Sequence, residues 1–451
     1  MGITEEFCRI LTTISIESLP QAALEAARIL LLDGIAVAMA GSRETAPTII
    51  AEHIRSFGGV EQATAFNFGF KTTTAGAAFL NGASMHVLDY EPMWNPPTHA
   101  VSTTLPAVLA LGESLHAGSK EMLAALIKGI EAHGRLRVAS RQYEPRSLLF
   151  HPPGIAGPIG SAVAASHLLN LGPDQLRNAI GIAASRAGTL LANIGTMTKC
   201  THCGNAAAAG LDAALLAARG LNANPDVIEA PNGLAEAFFE KDWDRRALIL
   251  NDAPLRILDP GYAIKLFPIQ YATHFVILAA LDARERIPAD QTLSSLEIVG
   301  PVMPYVDRPR PSSGLDAKFS FQYAAASALL DGTVGIDTFT DDGAARSDIR
   351  AMLSQVSFVQ SPQIPATLDR MWVEVKIRLG DGSAVTGKCV KPRGAWGSPI
   401  SRQEHLVKVR DCLRQVLSDT DTNNVVASLQ EFDRLDPGDL RALMRTLGGF
   451  H

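Results

Sequence analysis

The chain has little of several features that define common protein classes. Only 6% of its 451 residues are aromatic and 19% are charged, and the formal net charge is −6. No cluster of lysine and arginine occurs, so the sequence offers no basic surface for nucleic acid. The longest apolar stretch, residues 29–40, is interrupted by Asp33 and Gly34 and is too short to span a bilayer. We therefore expect neither a nucleic-acid partner nor a membrane partner.

The cysteines are few and odd in number: Cys8, Cys200, Cys203, Cys389 and Cys412. They form no even disulfide framework, and the first residues lack a basic region followed by an apolar run. Both observations favour a reducing, cytoplasmic location. The patterns GxGxxG, GxxxxGK[ST] and GxSxG are also absent from the sequence, which gives no support to a nucleotide cradle or a serine nucleophile elbow.

The chain is long enough for two domains, and its patterns change along its length. Apolar residues recur at helical spacing from the start to about residue 219, alternating patterns typical of strands appear after about residue 245, and helical patterns return after residue 402. We predict a mainly α, α+β protein. A large all-α domain is expected from residues 1–255 and 400–451, with a smaller α+β domain inserted at residues 256–399.

One predicted helix, from Thr72 to Leu88, has an unusually small face of alanine and Gly82. Small side chains let another backbone approach closely, so we expect this helix to be central in the bundle. It leads into the sequence HVLDYEPMWNPPTH, residues 86–99, where three prolines disfavour helix. Such a stiff polar loop often presents reactive groups. The alternative is a surface connection on which Trp94 and His99 merely pack.

Two later segments have the same character. The first runs from Tyr143 to Gly154 and contains FHPPG with His151. The second is GTMTKCTHCG, residues 195–204, and we expect it to precede a helix from Asn205 to Arg219. Lys199 and His202 would then lie at a helix start, where the amides and the dipole favour an anion. The alternative is a solvated lysine.

The spacing of Cys200 and Cys203 invites a metal interpretation. A structural zinc site needs four ligands, usually from two such pairs, and Cys389 and Cys412 supply no second pair. We therefore predict that the protein holds no metal.

The predicted α+β region contains three further candidates, Lys265, His274 and Tyr323. Lys265 has apolar neighbours in the sequence, where a lysine cation is unfavourable unless it is paired. The alternative for Lys265 and His274 is a structural hydrogen bond near a domain hinge. For Tyr323 it is a packed ring whose hydroxyl finds a partner.

Several of these segments together are similar to those of the MmgE/PrpD family, which includes 2-methylcitrate dehydratase, iminodisuccinate epimerase and cis-aconitate decarboxylase. The resemblance covers about residues 5–440 and is carried by HVLDYEPMWNPPTHAVSTTLPAVLALGE, FHPPGIAGPIGSAVAASHLLNL, GTMTKCTHCGNAAAAGLDAALLAARG, IKLFPIQYATH and KFSFQYAAASALLDG. DYEPMWNPPTH, FHPPG and FSFQYA look most like the cis-aconitate decarboxylase branch.

The resemblance implies a helical domain with an α+β lid, a homodimer, and a site between the domains. It implies catalytic positions at Asp89, His99, His151, Lys199 and Lys265. It implies substrate-binding positions at Tyr323, His202, Met93 and His274. Asp89 would orient or charge-balance a histidine or a lysine. The two lysines, with His99 and His151, would supply charge and protons.

The first loop departs from the family pattern at three positions. Where the decarboxylase branch has an aspartate, a threonine and a histidine, this chain has Pro92, Met93 and Asn95. Loss of the threonine hydroxyl would remove one substrate hydrogen bond. The thioether of Met93 would enlarge the apolar wall. The departures therefore bear on the identity of the substrate more than on the class of reaction.

The implied chemistry places negative charge next to a carboxylate, which calls for nearby cations and a proton donor or acceptor. The favoured function is a cofactor-free lyase acting on a small di- or tricarboxylate, converting cis-aconitate to itaconate and CO2. The alternatives are a dehydratase of the 2-methylcitrate type or an epimerase. A non-enzymatic alternative is an inactive dimeric family member that binds a carboxylate.

Overall fold

The computed structural model describes residues 2–143 and 148–450, so residues 144–147 of the second predicted loop lie outside the described residues. The chain divides into two compact units. The helical unit comprises the described residues of 1–87, 91–263 and 401–451. The mixed unit comprises residues 88–90 and 264–400.

Helices dominate the described chain, as the mainly α, α+β class predicted from the sequence requires. In chain order the α helices are α1 (Ile3–Thr13), α2 (Gln21–Gly41), α3 (Thr45–Phe57), α4 (Thr74–Val87), α5 (Ala100–Leu115), α6 (Ser119–Ala139), α7 (Pro153–Leu168), α8 (Pro173–Ala184), α9 (Thr198–Ala218), α10 (Leu234–Phe238), α11 (Arg245–Ile249), α12 (Thr273–Arg284), α13 (Gly314–Ala317), α14 (Phe321–Asp331), α15 (Asp341–Ala345), α16 (Ser347–Leu353), α17 (Arg402–Leu413), α18 (Asp419–Gln430) and α19 (Pro437–Gly448).

The centre of the helical unit is built from α4, α5, α7 and α9, whose inner faces consist largely of alanine and glycine. Gly82 of α4 meets Gly204 of α9 backbone to backbone. A Cβ atom on Gly204 would lie 2.3 Å from the carbonyl oxygen of Phe79, and one on Gly82 would lie 2.9 Å from the Cα of Gly204. Only glycine fits at this crossing, so the small face predicted for α4 does admit a neighbouring backbone.

Asp33 interrupts the apolar run of α2 and is completely buried. Its carboxylate accepts a hydrogen bond from Lys408 Nζ at 2.9 Å, and its other oxygen lies 2.9 Å from Nε2 of His405. Both partners belong to α17, so residues from distant parts of the chain neutralise a buried carboxylate, as burial of a charge requires.

A four-stranded sheet organises the mixed unit. Its strands are β3 (Leu293–Pro301), β4 (Val356–Ser361), β5 (Val373–Leu379) and β6 (Ala384–Cys389), while β1 (Ala63–Ala65) and β2 (Phe70–Thr72) form a separate hairpin in the helical unit. The order in the sheet is β4-β3-β5-β6, with β3 and β4 parallel and the other pairs antiparallel. The buried residues of β5 alternate with more exposed ones and face α12. The period-two alternation of apolar residues at 371–379 is typical of such a strand.

One helix boundary differs from the predictions. Helix α9 begins at Thr198 rather than Asn205, because Gly204 is a packing position inside the helix and not its start. His86, which the predicted helix 72–88 and the loop sequence 86–99 share, lies in the last turn of α4.

All five cysteines are buried and unpaired with one another. Within the described residues, no helix is both long enough and apolar enough to cross a membrane.

Candidate active site

Four histidines of the helical unit lie together, and we call His86, His99, His151 and His202 the histidine cluster. His86 ends α4, His99 immediately precedes α5, His151 precedes the proline start of α7, and His202 lies in the second turn of α9. The ring centroids are 4.6 Å apart for His86 and His99, 5.6 Å for His86 and His151, and 5.3 Å for His151 and His202. The structure thus brings together three predicted site residues and one, His86, that the sequence did not single out.

Glu91 is the carboxylate of this cluster and was also missed by the sequence analysis. It is completely buried, and its Oε1 atom is hydrogen-bonded to Nδ1 of His86 and lies 3.0 Å from Nδ1 of His99. Ser102 donates a second hydrogen bond to the same oxygen at 3.0 Å. Burial opposes the charged form of Glu91, but the two imidazoles outweigh it and hold the pKa of this carboxyl well below its ordinary value.

Three imidazoles of the cluster, those of His86, His151 and His202, have lowered pKa values. Burial, opposed by Glu91, lowers the pKa of His86 to about 4, and burial and the Lys199 ammonium lower that of His202 to about 4. For His151, burial is again the first cause, followed by His86 and Lys199, and its pKa falls well below the ordinary value. These imidazoles are therefore neutral near pH 7 and can accept a proton or a hydrogen bond.

His133 of α6 supports the first loop beneath the cluster. Its Nε2 lies 2.6 Å from Oγ1 of Thr98, and its Nδ1 lies 3.2 Å from Oγ1 of Thr103. Burial lowers the pKa of His133 to about 3, so the ring is neutral and has one donor and one acceptor for the two hydroxyls. These contacts fix the chain on both sides of His99.

Lys199 and His202 occupy the first turns of α9, and both are buried. The prediction that they lie at a helix start is right in kind, although they are part of the helix and do not precede it. Nδ1 of His202 lies 3.2 Å from Nδ1 of His151, so one ring donates to the other. The solvated-lysine alternative does not describe Lys199, which is 8% exposed.

The two cysteines of α9 have different surroundings. Cys200 packs in an apolar cluster with Ile50 and Leu80, whereas Cys203 lies near Glu91, with its Sγ atom within 4.8 Å of the Glu91 and His86 ligand atoms. Burial raises the pKa of both thiols, that of Cys200 to about 12.

Asp89 and Lys265 form an ion pair inside the mixed unit. Lys265 is 1% exposed and donates to the Asp89 carboxylate, to the Asp89 carbonyl at 2.7 Å, and to the Ile269 carbonyl at 3.3 Å. Asp89 has a φ of 53°, in the left-handed region that aspartate tolerates better than most residues. The pairing is the charge balance that the sequence analysis expected of Asp89, with a lysine as the partner.

His274 and Tyr323 are packed residues of the mixed unit. The His274 ring stacks on Tyr271 with centroids 4.9 Å apart. The Tyr323 hydroxyl donates to the Thr338 carbonyl at 2.6 Å, and the ring is completely buried. For Tyr323 the structure corresponds to the packed alternative, because its hydroxyl already has a backbone partner.

Met93 and Trp94 hold the first loop in the helical unit. Met93 exchanges backbone hydrogen bonds with Ala263, at 3.1 and 2.8 Å, and is 2% exposed. The indole of Trp94 donates to the Arg256 carbonyl at 3.0 Å. Trp94 is therefore an anchor, while His99 five residues later belongs to the cluster, so the two interpretations of this loop each hold for part of it.

The cluster also contains the atoms most suited to a metal. Ligand nitrogens of His86, His99 and His151 all lie within 4.8 Å of one another, and neutral imidazole is a common metal ligand. The same nitrogens can instead relay protons, with Lys199 as a neighbouring positive charge. Nε2 of His86 and Oε2 of Glu91 have no hydrogen-bond partner among the described residues, which marks them as atoms available to a ligand or water.

Family comparison agrees with the resemblance inferred from the motifs. Residues 5–246 match the MmgE/PrpD N-terminal domain, and residues 267–431 match the MmgE/PrpD C-terminal domain. The chain belongs to the MmgE/PrpD family.

Similarity to individual members of the family indicates the class of enzyme. The chain is 30% identical to cis-aconitate decarboxylase of Mus musculus, over 99% of this chain and 94% of the relative. It is 29% identical to cis-aconitate decarboxylase of Homo sapiens, over 96% and 92%, and 26% identical to that of Aspergillus terreus, over 96% and 94%. The protein is thus an enzyme of the lyase class.

Proposed function

We propose that this protein decarboxylates cis-aconitate to itaconate without a metal or redox cofactor. The observation that carries the proposal is the buried histidine cluster, in which His86 and His99 contact the Glu91 carboxylate and the charge of Lys199 acts on the neutral imidazoles of His151 and His202. A carboxylate substrate needs a cation to bind it, and a carbanion intermediate needs a proton donor. Lys199 is a cation of this kind, and the imidazoles of the cluster can carry a proton.

The reaction consumes one proton. The bond between the departing carboxylate and the CH2 carbon breaks, CO2 leaves, and the electron pair remains delocalised over the allylic system and its carboxylates. A proton is then added to the former vinylic carbon, which becomes a CH2 group. Cis-aconitate trianion and one proton thus give itaconate dianion and CO2.

Binding of the trianionic substrate would cause an imidazole of the cluster to take up that proton. Without substrate, burial and Lys199 hold His151 and His202 neutral. A bound trianion would offset the Lys199 charge and raise the pKa of these imidazoles, because an opposite charge nearby favours the protonated form. Lys199 would then bind a carboxylate, and His151 would donate to carbon, with His99 and Glu91 holding the arrangement.

The names of the relatives support the choice of substrate, since the three described above are all cis-aconitate decarboxylases. Met93 and its loop neighbours distinguish this chain from the branch pattern, so the substrate is the part of the proposal that an assay must test first.

The test is a proton NMR assay of purified protein in D2O with cis-aconitate, 2-methylcitrate and iminodisuccinate supplied separately. We expect itaconate with one deuterium in its saturated methylene and none in its vinyl group. Deuterium at the vinyl carbon would contradict the delocalised carbanion. Turnover of 2-methylcitrate or iminodisuccinate alone would replace the decarboxylase assignment, and turnover of none of the three would favour a carboxylate-binding protein without activity.

Two further parts of the proposal concern composition of the active species. We propose a homodimer, measurable by analytical ultracentrifugation, and a reaction independent of metal. Elemental analysis with about one zinc or iron per chain, together with loss of activity on chelation, would contradict the second part and assign His86, His99 and His151 as ligands.

A further inference from the structure

A polar cavity on the helical unit shares no residue with the histidine cluster. Its volume is about 280 Å³, and residues of α6, α7 and α8 line it. Because a water molecule takes about 30 Å³ of liquid volume, the space suits a small ion or molecule rather than a large cofactor. Lys128, Ser166 and His167 are the polar side chains on which the argument depends.

Lys128 is a buried cation without a bonded carboxylate. It is 7% exposed, and its Nζ lies 3.3 Å from Nδ1 of His167. The other ring nitrogen of His167 lies 2.9 Å from the Glu121 carboxylate. His167 therefore donates from Nε2 to Glu121 and accepts from Lys128 at Nδ1. An ammonium group has three N–H donors, and within residues 2–143 and 148–450 only this one has a hydrogen-bond acceptor.

Ser166 adds a second group that lacks a partner. It is 3% exposed, lines the cavity, and its hydroxyl has no hydrogen-bond partner in the described part of the chain. Buried hydroxyls are normally hydrogen-bonded, so such an atom at a cavity wall is a hydrogen-bonding group available to a ligand or water. Pro173, the first residue of α8, also lines the cavity, and the positive end of a helix dipole favours negative charge.

We propose that this cavity, lined by Lys128, Ser166 and His167, binds a small oxyanion, either a carboxylate or inorganic phosphate. Ammonium and hydroxyl are both donors, and oxyanions accept several hydrogen bonds at once. The electrostatics agree: burial lowers the pKa of Lys128 to about 8, and the Glu121 carboxylate, which is bonded to His167 rather than to Lys128, offsets only part of that shift. An anion in the cavity would reverse this shift.

The wild-type protein supplies the first test. Trace acetic anhydride labels amines at about pH 8, near the Lys128 pKa, in triethanolamine buffer with chloride as the reference salt. Mass spectrometry compares acetylation of Lys128 with that of Lys120, an exposed lysine of the same helix. At an anion concentration ten times the dissociation constant, Lys128 labelling should fall about 10-fold while Lys120 labelling stays constant.

Phosphate and acetate are tested separately to identify the source. Protection by phosphate alone assigns a phosphate site, and protection by acetate alone assigns a carboxylate site. Protection by both defines a general oxyanion site. No selective protection of Lys128 by either anion overturns the proposal.

Variants give a second test that does not depend on labelling. The protecting anion should raise the Tm of the wild type and of Lys120→Met, but not that of Lys128→Met, and the gain should be smaller for Ser166→Ala. Lys128→Met removes an unpaired buried charge, so we expect it to fold. An equal rise in Tm for Lys128→Met and Lys120→Met would contradict the proposal.

Discussion

Two buried carboxylates of the helical unit, Asp33 and Glu91, have similar surroundings but differ in how many of their oxygens have hydrogen-bond partners. Each is completely buried, each has histidine partners, and the pKa of each is lowered. Both oxygens of Asp33 have partners on α17. Glu91 concentrates its contacts on Oε1, and Oε2 has no hydrogen-bond partner among the described residues. A closed ion cluster holds helices together, whereas an incomplete one leaves atoms for a substrate.

The largest effect should come from Asp33. Asp33→Asn keeps the shape but leaves the Lys408 cation buried beside a neutral amide, so the free energy of unfolding should fall by about 3–5 kcal/mol. Urea unfolding measures it. Asp419→Asn, which removes an exposed partner of Arg414, is the control and should cost less than about 1 kcal/mol. If the two variants were equally stable, the Asp33 cluster would have no structural role.

The ion cluster around Asp33 also predicts that stability depends on pH. The folded-state pKa of Asp33 is depressed, with burial opposing and Lys408 and His405 favouring the charged form. Its contribution is therefore complete above the unfolded-state pKa of about 3.9 and is lost as the pH falls through the folded-state value. The difference in unfolding free energy between wild type and Asp33→Asn should shrink across that acidic window. A constant difference would contradict the linkage.

Lys199 and His151 should affect catalysis rather than folding. Lys199→Ala and His151→Ala should each lower kcat by about 10²-fold, the effect of losing an electrostatic or acid–base group. Steady-state assays with the confirmed substrate measure it, and Lys241→Ala, an exposed lysine of the same unit, is the control. A folded Lys199→Ala protein with the wild-type kcat would remove Lys199 from the active site.

Glu91 should have an intermediate effect, and its pH profile separates positioning from mere packing. Glu91→Gln keeps the volume but removes the negative charge that raises the pKa of His86. We expect kcat to fall about 10-fold and the limb of the pH–rate profile that reports histidine protonation to move about one unit to lower pH. Loss of activity with an unmoved profile would show that Glu91 acts only through packing.

The smallest expected effect concerns Met93, at a position where the branch pattern has threonine. Met93→Thr should increase turnover of cis-aconitate by several-fold, about 1 kcal/mol, if the hydroxyl recovers one substrate hydrogen bond. Met93→Val is the control, because it makes a comparable reduction in size without the hydroxyl. An equal response of both variants would attribute the change to volume.

The sequence predicted the mainly α, α+β class because apolar spacing and strand alternation are strong over long segments. It also placed His99, His151 and His202 among the candidates, and these lie together. It missed Glu91, which resembles an ordinary loop acid in the sequence until His86, His99 and Ser102 are seen around its Oε1 atom. It missed His86, although the predicted helix 72–88 contains it, because periodicity does not show that the Glu91 carboxylate and the His99 ring lie beside its imidazole. It placed the start of α9 too late because it took Gly204 as a residue before the helix. The packing of Gly204 against α4 becomes evident only in the structure.

The contact between Gly82 and Gly204 sets a limit on how this protein can diverge. His86 follows Gly82 by one turn on α4, and His202 precedes Gly204 by two residues on α9. A single added methyl at either glycine would separate the helices and so change the spacing between imidazoles that never touch the new atom. Changes of substrate are therefore more accessible through the loop residues around Met93 than through α4 or α9, because the crossing of these two helices fixes the spacing between the histidines.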